Sequence, residues 1–311
     1  MVTTEVSTQA QPIGYLVGTS YCGSTLMAFL MDCHSQVVSV GETSPNRKAR
    51  QNGARTMKCS CGAPLYECSF WQQISDRLAQ SGSCFSIDEW NNDFRYLNPA
   101  LHKLLHAESS NRVRQYLSVS ADRWLPFHNQ RIARINEANF DFVRTAVDLA
   151  NARVFFDTSK GIDRLLRLMR YNKYDLRVIY FVRDVRAFAF HGKRKGTPIE
   201  SMSRRWLDFH TNALRFFRQS PELQVLTVKY EDLCAEPVEW LAKIHEHLGV
   251  PPEAPPETID ATQHHILGNS MRLGGELRIE LNEKWREGLS PDEVDRALRV
   301  AGELNRELGY A

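Results

Sequence analysis

The chain has 311 residues, 42% of them hydrophobic and 24% charged, which is enough apolar matter for a sizeable core. Lys+Arg is 39 against Asp+Glu of 37, a net charge of +2, which argues against a protein that coats nucleic acid. No apolar run approaches the roughly 20 residues that span a bilayer, and the MVTTEVSTQAQP start has neither the basic nor the apolar region of a signal peptide. A cytoplasmic globular protein is expected.

Residues 1–12 are polar and read as loose. IGYLVGTS, from Ile13, reads as an apolar strand running into a glycine-bounded turn, and LMAFLMDC as a helix buried against a sheet. VVSV at 37–40 suits a fully buried parallel strand. From 43 to about 70 the chain is a polar excursion, and 71–150 reads as mostly helical with breaks at Pro99 and Pro126. RVFFD at 153–157 and LRVIYFV at 176–182 are strands. Ile162, Leu165, Leu166 and Met169 between them repeat at helical spacing, which makes a β-α-β unit. A helix over 199–217, a strand LQVLTVKY at 223–230 and a helix VEWLAKIHEHLG follow. The last helix opens with a capping box, Ser290 to Glu293, with Pro291 at its first position. Alternating strands and helices predict an α/β fold, a central parallel sheet flanked by helices with a largely helical insertion. Residues 13–311 form one domain in this reading, with 43–150 as an insert.

In such folds ligands sit beyond the carboxyl ends of the strands. Gly18 to Thr25 after the first strand has the pattern G-x4-G-x-[ST] of a phosphate loop, with Ser24 in place of lysine. Its glycines and the following helix N-terminus still suit one phosphate-like group, but the group that meets the β/γ-phosphates of ATP is missing. Glu42 after VVSV is either a solvated turn residue or a general base. Lys160 after RVFFD is either an ordinary exposed lysine or a cation that neutralises a transferred group. Arg183 after LRVIYFV offers a fork of donors suited to phosphate, and His191 to Lys195 form a basic run beyond it.

In order, these segments resemble the sulfotransferases that use 3′-phosphoadenosine 5′-phosphosulfate (PAPS). GTSYCGSTLMAFLMDCHSQVVSVGE is similar to their 5′-phosphosulfate loop, helix and downstream glutamate. FFDTSKGIDRLLRLMRYNKYDLRVIYFVRDVRAF is similar to their strand ending in lysine and their 3′-phosphate motif. VKYEDLCAEP, HHILGNSMR, EKWREGLS and the cysteine-bearing insert CSCGAPLYECSFW resemble further segments of bacterial members, while about 85–150 matches none. The resemblance implies a P-loop-like sulfotransferase fold and PAPS as co-substrate. It puts Ser20, Tyr21, Cys22, Gly23, Ser24 and Thr25 at the phosphosulfate, and Arg183, His191 and Arg272 among the remaining cofactor contacts. Glu42 is then the base and Lys160 the sulfuryl contact; no metal is expected. Tyr21 stands where many members carry Lys or Arg, and His191 where they carry a serine that holds the 3′-phosphate. The resemblance also implies an acceptor hydroxyl or amine on a small molecule, lipid or carbohydrate, met mainly by 43–150 as the acceptor-side region. Neither nucleic acid nor a membrane span enters, and the oligomeric state is left open. Two rivals remain: a P-loop kinase or NTPase, with Asp157 available for magnesium, and a non-catalytic relative that has lost turnover.

Cys59, Cys61, Cys68 and Cys84 fall in one stretch whose C-x-C-x6-C spacing lacks the paired C-x2-C knuckles of a zinc ribbon. Zinc, a disulfide or plain loop packing all stay open, although a disulfide goes against a reducing cytoplasm. His264 and His265 are neighbours in a loop that either packs there or lines the cofactor site, while His245 and His247 diverge on a helix. Trp124, Phe127 and His128 are candidates for an acceptor wall, or core residues.

Overall fold

A computed structural model describes residues 10–43, 57–87, 94 and 126–311, and no helix among them is long and apolar enough to cross a membrane. Five parallel strands form the central sheet: β1 (Gln11–Val17), β2 (Val37–Gly41), β3 (Val154–Lys160), β4 (Tyr174–Val182) and β5 (Gln224–Lys229). Their spatial order is β2-β3-β1-β4-β5, so β1 is central and the chain leaves it in opposite directions on its two sides. Crevices for ligands form where the strand order reverses in this way. β1 begins inside the segment that reads as loose, with the Gln11 amide donating to the Lys173 carbonyl (2.9 Å).

Side chains alternate across the strands and bury on both faces, because helices cover both. One face carries Ile13, Tyr15, Val17, Phe155, Val178 and Tyr180. Against it lie α2 (Ser69–Gln80), α3 (Pro126–Leu149), α4 (Ile162–Tyr171), α5 (Val185–Lys193) and α6 (Ile199–Gln219). The other face carries Leu16, Phe156, Ile179 and Phe181 under α1 (Ser24–Asp32), α7 (Tyr230–Ala235) and α8 (Pro237–Leu248). Gly14 is what lets α8 come close. A Cβ there would lie 2.5 Å from the Phe156 ring and 2.7 Å from the Leu248 side chain. Two C-terminal helices, α9 (Trp285–Gly288) and α10 (Pro291–Glu307), return to the first face. Ser290 and Glu293 form the expected capping box.

The break expected at Pro126 falls on the start of α3, as suits a residue whose missing N–H would have no partner in a first turn. One boundary differs from the sequence reading: Lys160 is the last residue of β3, not a residue beyond it. The expected break at Pro99 lies outside the described residues.

Candidate active site

Residues at or just beyond the ends of all five strands meet in one cleft of about 1000 Å³. The turn after β1 enters α1 through Gly23 at φ 98°, a left-handed conformation that glycine adopts without a steric penalty. A Cβ at Gly23 would also press to 2.6 Å from the Tyr230 ring. No side chain caps α1, so its first turn faces the cleft beside Ser24 and Thr25, which both line it. That arrangement attracts an anion, because free N–H groups and the positive dipole end point the same way.

At the far side of this turn, Lys160 Nζ donates to Glu42 Oε1 (2.5 Å), to Ser24 Oγ (3.3 Å) and to the Thr158 carbonyl (3.1 Å). Lys160 reaches this position by taking φ 69°, which non-glycine residues rarely adopt, just where the β1–β3 register shifts. Glu42 is fixed from the backbone: its N–H donates to the Leu267 carbonyl (3.2 Å), and Leu267 N–H donates to Val40 (2.7 Å). Glu42 and Lys160 thus stand 118 residues apart in sequence and touch at the mouth of the anion loop.

Arg183 also lines the cleft. Its guanidinium lies 4.1 Å from the Tyr230 ring centroid and donates to the carbonyls of Tyr21 (2.9 Å) and Asn282 (2.8 Å), while its buried Nε has no partner among the described residues. Tyr21 stacks on His191 with ring centroids 3.8 Å apart, and Lys195 Nζ donates to the Tyr21 hydroxyl (2.6 Å). A cation therefore does stand beside position 21, delivered through space from the basic run. Burial, and then the charges of Lys195, Arg183 and Arg194, push the pKa of His191 down. Of the rest of the run, Arg194 also lines the cleft, whereas Lys193 turns to Glu293 (2.7 Å). Counting side chains on the wall, Lys160, Arg183, Arg194, Lys195, Arg278 and Lys284 face Glu42, Glu280 and Glu283. The cleft is net cationic.

Ser20, Tyr21, Gly23, Ser24, Thr25, Glu42, Lys160, Arg183 and His191 are all brought to this one cleft. Two expected cofactor contacts are not. The Cys22 side chain is fully buried beneath the loop, within the core of the α1 face, so only its backbone can meet a ligand there. Arg272 does not line the cleft; its guanidinium binds the carbonyls of Lys58 (3.0 Å) and Asn269 (3.0 Å) and so ties two loops together. The wall from Arg278 to Trp285 was not singled out for cofactor contact, because no spacing rule links it to the strand ends.

Asp157 is buried and saturated: Thr43 Oγ1 (2.8 Å) and Arg164 Nε (2.9 Å) donate to Oδ2, and Ser159 Oγ (2.6 Å) to Oδ1. It is a structural strut and not the magnesium ligand that a kinase would need. Neither His264 nor His265 lines the cleft. His264 Nδ1 pairs with Asp32 (2.7 Å), and His265 turns to the cysteines. Trp124 lies outside the described residues, as do the side chains of Phe127 and His128, together with residues 44–56, 88–93 and 95–125 of the expected acceptor side.

A family profile described as the sulfotransferase family matches residues 14–254. No curated protein matches the chain. Among solved structures it is similar to the sulfotransferase domain of the Synechococcus PCC 7002 olefin synthase, at 18% identity over 94% of both chains with a TM-score of 0.47. It is also similar to sulfotransferase STF9 from Mycobacterium avium, at 13% identity over 97% of this chain and 78% of that one, with a TM-score of 0.46.

Proposed function

The chain belongs to the sulfotransferase family, and we propose that it moves the sulfuryl group of PAPS to a hydroxyl or amine of a small-molecule, lipid or carbohydrate acceptor. The observation that carries this reading is the contact of Lys160 with both Glu42 and Ser24 at the head of the anion loop. The Lys160 ammonium offsets the repulsion between the Glu42 carboxylate and an anion in the loop, and a carboxylate held there can remove a proton from the incoming acceptor.

The residues of the cleft fit a sulfated, doubly phosphorylated nucleotide. The α1 N-terminus with Ser24 and Thr25 would hold the 5′-phosphosulfate. Arg183, which has an unpartnered buried Nε, would hold the 3′-phosphate, with Lys195 and His191 beside it. PAPS would supply the activated sulfur: the acceptor oxygen or nitrogen bonds to it as the sulfur–oxygen bond to the 5′-phosphate breaks, and 3′-phosphoadenosine 5′-phosphate leaves. Glu42 accepts the acceptor's proton, and as its carboxylate becomes neutral its hold on Lys160 weakens. The freed ammonium, already 3.3 Å from Ser24 Oγ, then turns to the charge that gathers on the loop side. Base and charge-stabiliser thus exchange one ion pair for another, and the loop amides bind throughout.

Transfer of label from radiolabelled PAPS to a panel of hydroxylated and amino compounds tests the reading. Glu42→Gln should lower transfer by roughly 100-fold or more, the scale of a lost general base, with nucleotide affinity near the wild-type value. Unchanged turnover in Glu42→Gln would remove the carboxylate from the base role.

A further inference from the structure

Three of the four clustered cysteines meet a further group that sequence spacing did not pair with them. Residues 57–65 form a tight hairpin. Cys59 N–H donates to the Ala63 carbonyl (2.9 Å), Leu65 N–H to Met57 (2.9 Å), and Gly62 closes the tip by donating to Cys59 (3.0 Å). The hairpin presents Cys59 and Cys61 near its tip, and Cys68 follows as the residue that precedes α2. From the other end of the chain, residues 264–267 lie along it. Ser60 N–H donates to the Ile266 carbonyl (3.2 Å), and Ile266 N–H donates back to Ser60 Oγ (2.9 Å). This places His265 Nδ1 at 3.3 Å from Cys68 Sγ and 3.6 Å from Cys59 Sγ.

We propose that Cys59, Cys61, Cys68 and His265 bind a zinc ion. Their ligand atoms all lie within 4.8 Å of one another. A tetrahedral zinc with bonds of about 2.3 Å to sulfur and about 2.0 Å to nitrogen sets its ligands roughly 3.5–3.8 Å apart. The two sulfur–nitrogen distances fall close to that spacing. One ring nitrogen has a single lone pair or a single proton, so it cannot serve two thiols equally, whereas one ion shared among all four can. Three thiolates and an imidazole are a donor set that favours zinc over hard cations. Phe70 stacks flat on His265, with centroids 4.6 Å apart and 7° between planes, and holds the ring in this orientation. Cys84 stands apart, with its Sγ 3.4 Å from the Arg134 carbonyl.

None of the four ligands lines the cleft, so the ion is structural and not part of the transfer site. Its effect reaches the site through the backbone. The same segment that delivers His265 continues to Leu267, which pairs with the end of β2 and holds the Glu42 N–H, and to Gly268 on the cleft wall. The ion would pin this strap to the hairpin, as Arg272 does from the other side.

Metal analysis of the purified full chain, prepared with neither added metal nor chelator, is expected to find about one zinc per chain. Cobalt put in its place should show the strong ligand-field and sulfur charge-transfer bands of a tetrahedral thiolate site. Chelation should lower the melting temperature of the wild type and leave Cys61→Ser unmoved. Metal-free protein would overturn the proposal, whether all seven thiols then titrate in denaturant or two are missing because a disulfide has taken their place. These readouts do not involve sulfuryl transfer, so a zinc-loaded chain that transfers nothing would count against the proposed function and leave the metal site standing.

Discussion

Arg183 has two jobs that a single substitution separates by ligand. Its Nη groups staple the Tyr21 and Asn282 carbonyls together, and under the proposed function the same side chain also meets the 3′-phosphate. Arg183→Ala should therefore weaken 3′-phosphoadenosine 5′-phosphate roughly 10- to 100-fold, the scale of a hydrogen bond between charged groups. ADP, which lacks the 3′-phosphate, should lose much less. Paired calorimetric titrations read the ratio, and equal losses would show that only the staple mattered. Arg183, Glu42 and Lys160 were legible in the sequence because each ends a recognisable strand. The Lys195–Tyr21 contact was not, since a 174-residue separation leaves no pattern to read. His265 was missed for the same reason: its partners lie about 200 residues earlier, and metal-ligand spacing rules see only local runs.

At the scale of elements, the close seat of α8 on β1 depends on an absent side chain. Gly14→Ala would drive a Cβ into the Phe156 ring and the Leu248 side chain. The expected loss is about 1–3 kcal/mol, the usual cost of overpacking, read as a lower denaturation midpoint with an unchanged slope. An unaltered midpoint would mean that α8 moves freely on the sheet. The strands and the helices between them were legible because continuous apolar runs and 3.6-residue periodicity follow directly from burial on two faces. The ends were harder. The left-handed turn at Lys160 lengthens β3 beyond its apolar run to place an ammonium, and local propensity opposes that backbone.

Across the whole molecule, stability should carry a signature of buried histidines. Burial alone pushes His210 down to about 3, where Tyr180 meets its Nδ1 at 2.7 Å. Burial, followed by the nearby His34, pushes His245 down to about 4. Both stay neutral when folded but take up a proton when unfolded below about pH 6.5. Their contribution is therefore intact above about pH 6.5 and falls as the pH drops toward their folded values. The melting temperature should decline from pH 6.5 to 5, above most carboxylate titration, and His210→Asn should flatten that decline. A slope unchanged in the variant would contradict the assignment.

The proposed function makes its most direct demand on the cleft as a whole, which should take a nucleotide with a 3′-phosphate and an anion at the 5′ end. Calorimetric titration of the full chain with 3′-phosphoadenosine 5′-phosphate, beside ADP and magnesium ATP, tests it. The account predicts micromolar or tighter binding of the bisphosphate, with ADP and magnesium ATP both much weaker. Magnesium ATP binding as tightly as the bisphosphate, or no heat from the bisphosphate with folded protein, would contradict it.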